Sequence, residues 1–204
     1  LTSYLLFFAV LAYIHARATA PSTAPSSSPF ALPAPAGMQA AGAVLVLAAL
    51  IPSLYLANAK PISVAGSILN ALALGSDPQS AGKADKIITT FREGLAKNTF
   101  GTMEVREQVS QTANFVARDV SIANQDKGKY FEFAIQELEA QRKEFPTDMR
   151  AKAFLATLYS TAGRPAEALA VVNEALAVSE RRPQFYFIAA EAYLNGGQGE
   201  QAIA

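Results

Sequence analysis

The 204-residue sequence contains no cysteine, a single histidine and little charge. Without cysteine there can be no disulfides, thiolate zinc sites or cysteine nucleophiles. Charged residues make up 17% of the chain, against about 25% in ordinary soluble domains. The shortfall lies at one end, because residues 1–60 hold only Arg17 and Lys60 and no acid. The other 15 bases and all 17 acids lie in residues 61–204, which carry a net charge of −2. A balance so near neutrality gives no electrostatic basis for nucleic-acid binding. There is no GxSxG, no HExxH and no phosphate-cradling glycine loop. The glycines of "GGQG" (196–199) read as a turn. The paired carboxylates, Glu104 with Glu107 and Glu137 with Glu139, lie on amphipathic helices near Lys and Arg. They read as solvated surface charge. No residue qualifies as a general acid, base or nucleophile, and no cofactor or metal site is expected.

What the first 60 residues do hold is apolar. Residues 1–14, "LTSYLLFFAVLAYI", are aliphatic and aromatic. Residues 18–37 carry five prolines and four serines, which forbids a continuous helix and predicts an extended connector. Residues 38–57, "MQAAGAVLVLAALIPSLYLA", form a 20-residue uncharged run, and about 20 residues cross a hydrocarbon core. Pro52 should kink that helix, which membrane helices tolerate. Tyr55, Asn58 and Lys60 stand where an interfacial anchor belongs. The expectation is a hairpin of two transmembrane helices, the first cut short. "ARA" and "ATA" at 16–20 resemble signal-peptidase sites, but no basic residue precedes the apolar run. Arg17 on one side and Lys60 on the other leave the orientation undetermined. His15, at the end of the first run, reads as interfacial. The opening Leu1 and the closing "GEQAIA", which stops in mid-helix, suggest a piece of a longer protein.

The remainder repeats. Ala156 and Ala190, Tyr159 and Tyr193, Gly163 and Gly197, and Ala168 and Ala202 are each 34 residues apart. Spacing and residue types resemble the tetratricopeptide repeat family. In residues 149–182, Ala156 should let helix A pack closely and Tyr159 should fill the space between helices. Gly163 should turn the chain, and Ala168, Val172 and Ala175 should form the inner stripe of helix B. A second copy starts at Pro183. Upstream the pattern decays. "AIQELEAQRKEFP" reads as a helix B ending at Pro146, with residues 103–125 as its long partner. Residues 83–98 form an amphipathic helix with Ile87, Ile88, Phe91 and Leu95 on one face. "NTFG" should stop it, and Thr102 should cap the next helix. Helix 83–98 is expected to dock on helix 103–125 and start the stack.

The predicted fold is all-α: two transmembrane helices, then an α-solenoid of about four helix pairs. The divisions are a truncated transmembrane helix (1–17), a Pro/Ser-rich connector (18–37), a transmembrane helix (38–58), a juxtamembrane segment (59–82), degenerate repeat-like helices (83–148), a repeat (149–182) and a truncated repeat (183–204). Likeness to tetratricopeptide repeats implies a right-handed superhelix whose concave groove is lined by the A helices. Its candidate lining is Arg150, Ala153, Thr157 and Ser160, then Gln184, Phe187, Glu191 and Asn195. The alternative is an ordinary solvated helix face, since no clamp of basic residues recurs.

The order of parts carries a second resemblance. "LTSYLLFF", the connector, the second membrane helix, the short helix "KPISVAGSILNAL" and "LAKNTFGTMEVREQV" precede the repeats. Together they resemble the C-terminal end of bacterial O-antigen ligase/polymerase-type membrane proteins with a repeat tail. That resemblance implies a multi-pass protein of the bacterial inner membrane. Such a protein transfers glycan from a polyprenyl-diphosphate carrier to a lipid, glycan or protein acceptor. It also implies that the catalytic Arg and His residues precede Leu1, and none matches a position here. The partners implied are a protein or peptide in the groove, the lipid bilayer and, through the upstream part, the lipid-linked glycan. A membrane-anchored repeat scaffold or assembly factor with no enzymatic part is the alternative.

Overall fold

The computed structural model describes residues 8, 10–15, 36–76 and 82–203. Among the described residues the chain is all-helical, with no strand. The expected first transmembrane helix (1–17) and the connector (18–37) lie almost wholly outside them. Of these, residues 10–15 are helical and exposed. The chain divides into two compact units, Leu1–Ala49 and Leu50–Ala204.

Helix α1 (Ala36–Leu54) begins in the first unit. Val44, Leu45, Val46 and Leu47 are consecutive and all exposed. At about 100° per residue, four neighbours cover every side of a helix. A helix apolar all round belongs in a protein core or a membrane, and among the described residues these four side chains are uncovered. By length and composition one helix, Val44–Ser76 with 33 residues, suffices to cross a membrane. Its span of about 50 Å exceeds the ~30 Å hydrocarbon core, so part of it must serve another purpose.

That purpose appears in the second unit. After Pro52, residues Tyr55–Ala59 form one turn of π-helix, closed by the Lys60 N–H on the Tyr55 carbonyl. The Asn58 amide donates to the Leu54 carbonyl at 3.3 Å, giving it a partner within the loosened turn. Helix α2 (Lys60–Ser76) then buries a stripe of Val64, Ser67, Ala71 and Gly75. Their spacing of three and four residues is one helix face, and the small side chains admit a close neighbour. That neighbour is α3 (Lys83–Ala96). A Cβ added to Gly94 would stand 3.3 Å from the Ser67 Cβ.

Four helical hairpins follow one another. They are α2 with α3, α4 (Thr102–Arg118) with α5 (Asn124–Glu144), α6 (Met149–Thr161) with α7 (Pro165–Val178), and α8 (Pro183–Asn195) with α9 (Gly199–Ile203). The first helices of the hairpins also pack on one another, α2 on α4, α4 on α6 and α6 on α8. The juxtamembrane segment is therefore no bare linker. Its helix α2 supplies half of the first hairpin, and α3 packs on α2 as well as on α4 and α5.

The helix ends have local causes. Gly163 and Gly197 adopt φ of 74° and 73°. The amide after each donates to the carbonyl five residues back, Arg164 to Tyr159 and Gln198 to Tyr193, both at 2.8 Å. The 34-residue spacing is thus repeated in backbone geometry. Pro165 and Pro183 open their helices, where a missing N–H costs nothing. Asp148 caps α6 by accepting from the amides of Arg150 and Ala151 at 3.0 and 3.1 Å. Asn98, at φ 44°, ends the α3 hairpin arm.

Two expectations require correction. Thr102 does not cap α4, since its hydroxyl donates back to the Thr99 carbonyl at 2.7 Å. The helix expected over 103–125 stops at Arg118. There Asp119 accepts from the Ser121 amide and hydroxyl at 2.8 and 2.6 Å and from Lys83 at 2.7 Å. This side-chain turn competes with continued helix, and α5 starts ten residues before Ala134.

One continuous core runs through the hairpins, from Val64 to Ala192. Ile87, Phe91, Val105, Val109, Leu155, Ala156, Ala168, Val172, Ala175 and Phe185 are fully buried within it. Tyr130 is also buried, edge-on to Phe133 with ring centres 6.1 Å apart. Its hydroxyl donates to the Val109 carbonyl at 2.9 Å, so the burial leaves no orphaned polar group. That burial raises the phenol's pKa far above the usual value.

Candidate partner groove

The stacked first helices α4, α6 and α8 present one row of side chains. On α4 the buried residues Val105, Val109, Ala113 and Val116 alternate with Glu107, Gln111 and Asn114, which point the other way. Between the three helices lies a groove of about 160 Å³, lined by Gln111, Asn114, Ala153, Phe154, Thr157 and Gln184. Three of the residues expected from the sequence, Ala153, Thr157 and Gln184, therefore meet there. Phe154 also borders a smaller cleft of about 80 Å³ with Arg150, Glu107 and Met103.

The other expected residues are placed differently. Arg150 is exposed, pairs with Glu107 and holds its guanidinium 6.0 Å from the Phe154 ring centre. Phe187 is 76% exposed, and Glu191 is exposed as well. Neither lines the two clefts. Asn195 is engaged in the fold, since its amide donates to the Ser160 hydroxyl at 2.8 Å and ties α8 to α6. Ser160 itself is buried, so it does not face the groove as expected. The contribution of α4 was not assigned from the sequence. The polar positions 107, 111 and 114, out of phase with the valines, were the available signal.

Ion pairs join the helices as well. Lys152 has a side chain only 2% exposed and meets Glu174 at 2.8 Å. Glu174 also receives Arg142 at 2.7 Å. The Lys152 hydrogen bond lowers the Glu174 pKa below the usual carboxylate value. Glu139 takes Arg142 at 2.9 Å and the Tyr159 hydroxyl at 2.9 Å. Burial and the Glu139 carboxylate push the Tyr159 phenol up to about 12. Glu137 pairs with Arg106 at 3.4 Å. Of the four carboxylates noted in the sequence, Glu107, Glu137 and Glu139 are thus engaged by bases or by tyrosine.

Among the described residues no group of three or more His, Asp or Glu could hold a metal ion. The arrangement has the means to bind, through polar amides and hydroxyls beside an aromatic ring. The residues lining the 160 Å³ groove include no acidic or basic side chain. No family model, curated protein or solved structure matches the chain.

Proposed function

We propose that this chain is the interaction tail and last membrane helices of a polytopic bacterial glycan-transfer protein of the O-antigen ligase/polymerase type. The hairpins are read as tetratricopeptide-type repeats in a right-handed stack. The apolar runs at 1–17 and 38–58 are read as inner-membrane helices. The observation that carries the binding role is the groove where Gln111, Asn114, Thr157 and Gln184 meet along packed first helices. Its floor, with Ala153, is small and its walls are neutral, which suits an extended peptide or protein segment. The glycan-transfer part rests on the resemblance of "LTSYLLFF" and "LAKNTFGTMEVREQV" to that family. Catalysis then belongs to residues before Leu1. A groove tethered beside such an enzyme raises the local concentration of an acceptor or partner without touching the chemistry.

The test uses the intact membrane protein with Thr157→Arg and Gln184→Arg. Transfer to the native acceptor should fall by about tenfold or more as the effective concentration is lost. Transfer to a small soluble acceptor should stay within about twofold, since no catalytic contact changes. Equal loss on both acceptors, with insertion intact, would remove the recruitment role. No glycan transfer by the intact protein would leave a membrane-anchored scaffold.

A further inference from the structure

We infer that the turn joining α3 to α4, residues 97–101 with Phe100 at its apex, is a second membrane contact that seats the helical unit on the lipid headgroup layer. The inference rests on the reading of α1 as a membrane span. Its observations all lie within the unit Leu50–Ala204.

The turn is fastened to the start of α2. The Lys97 ammonium donates to the Ser63 carbonyl at 2.7 Å and to the Ser67 hydroxyl at 2.9 Å. A Cβ on Gly101 would lie 3.7 Å from Val64. The apolar run 38–57 is followed by the anchor residues Asn58 and Lys60. Residues 63–67 lie about 5–11 Å beyond Lys60 along the helix. The headgroup layer extends about 5–8 Å past each face of the hydrocarbon core. Helix α3 runs back toward the start of α2, so its terminal turn lies beside residues 63–67.

The turn is also dressed for it. Phe100 is 74% exposed, and Ile62, on the first turn of α2, is 70% exposed. The aliphatic Leu56 and Tyr55 lead up to them, also exposed. An aromatic and an aliphatic side chain with Lys60 and Lys97 nearby is the composition that rests at a bilayer interface. At the opposite end of α4, Val120 is 97% exposed. With 17 residues, α4 holds it about 25 Å away. The lipid surface is the occupant chosen because the same unit carries the end of the apolar helix, which fixes where the bilayer must lie.

The absence of native cysteine makes the test direct. The full chain is reconstituted in phosphatidylethanolamine/phosphatidylglycerol vesicles as single variants Ile51→Cys, Phe100→Cys and Val120→Cys, each carrying a nitroxide. Collision with oxygen, which concentrates in lipid, is compared with collision with a water-soluble nickel chelate. Position 51 should be deep, position 120 aqueous, and position 100 at headgroup depth with a several-fold higher oxygen-to-nickel ratio than position 120. If position 51 is deep but position 100 matches position 120, the turn lies in water and the inference is overturned while the span stands. Shielding of position 100 from both reagents would mean a protein surface covers it, which also overturns the inference. An aqueous position 51 would overturn the span reading and this inference together.

Discussion

One glycine and one lysine show how far single residues decide this fold. Gly163 holds φ of 74° with open space where a Cβ would stand. Backbone strain is then the whole penalty, so Gly163→Ala should destabilise by about 1–2 kcal/mol. Urea unfolding of the chain in detergent, followed by circular dichroism, would measure it. An unchanged midpoint would mean that the turn relaxes. The Lys152–Glu174 pair is asymmetric, because Lys152 is buried and Glu174 is 43% exposed. Removing the carboxylate by Glu174→Ala strands a buried cation and should cost about 3 kcal/mol. Lys152→Met leaves Glu174 with Arg142 and water, and should change stability by less than about 1 kcal/mol. The pH dependence follows from the lowered Glu174 pKa. The pair's contribution is fully present above the ordinary carboxylate value of 4.5. It is lost as pH falls through the depressed one. Lys152→Met should flatten that acid limb of the stability curve, and an unflattened limb would assign it to other carboxylates.

At the scale of elements, the sequence announced what local chemistry controls. The glycine turns, the opening prolines and the apolar stripe of α3 need only neighbours a few residues away. Thr157 and Gln184 line the groove, but their counterparts 34 residues away, Glu191 and Arg150, do not, so the repeat spacing finds the helices and not the groove residues. The end of α4 was not legible, because the helical period runs on through "ARDVSIANQ". What stops it is Asp119, whose carboxylate takes the Ser121 amide and hydroxyl and is also held by Lys83, 36 residues away. Gln111 and Asn114 were missed for a related reason, since their hairpin has diverged too far for the repeat to index it. The cap at Asp148 offers an element-level check. It satisfies two orphan amides of α6 and also accepts from the buried Gln141 amide at 3.2 Å. Asp148→Ala should cost about 1 kcal/mol from the lost cap. Asp148→Asn keeps the capping oxygen and should restore most of it, whereas a loss equal to alanine's would place the effect outside the cap.

For the whole molecule, the question is which part holds it to a membrane. The apolar run at 38–57 was visible in composition alone, but its continuation into a packed helix was not. That continuation depends on α2 packing on α3, where Ser67 meets Gly94, and on α4, where Gly75 faces Phe115. On the proposed reading, two membrane contacts of different strength follow, and they make opposite demands on a truncated chain. Burying a Phe side chain gives about 1.5–3 kcal/mol, and the headgroup layer offers less than full burial. Even a millimolar dissociation constant requires about 4 kcal/mol. The 97–101 turn alone should therefore fail to hold the helical unit on a bilayer, although it orients the unit once α1 tethers it. A chain beginning at Lys60 should stay in the supernatant when vesicles are sedimented, with its helical circular dichroism intact. The full chain should pellet with the vesicles and resist alkaline carbonate. Co-sedimentation of the truncated chain would shift the anchor from α1 to the surface of the helical unit.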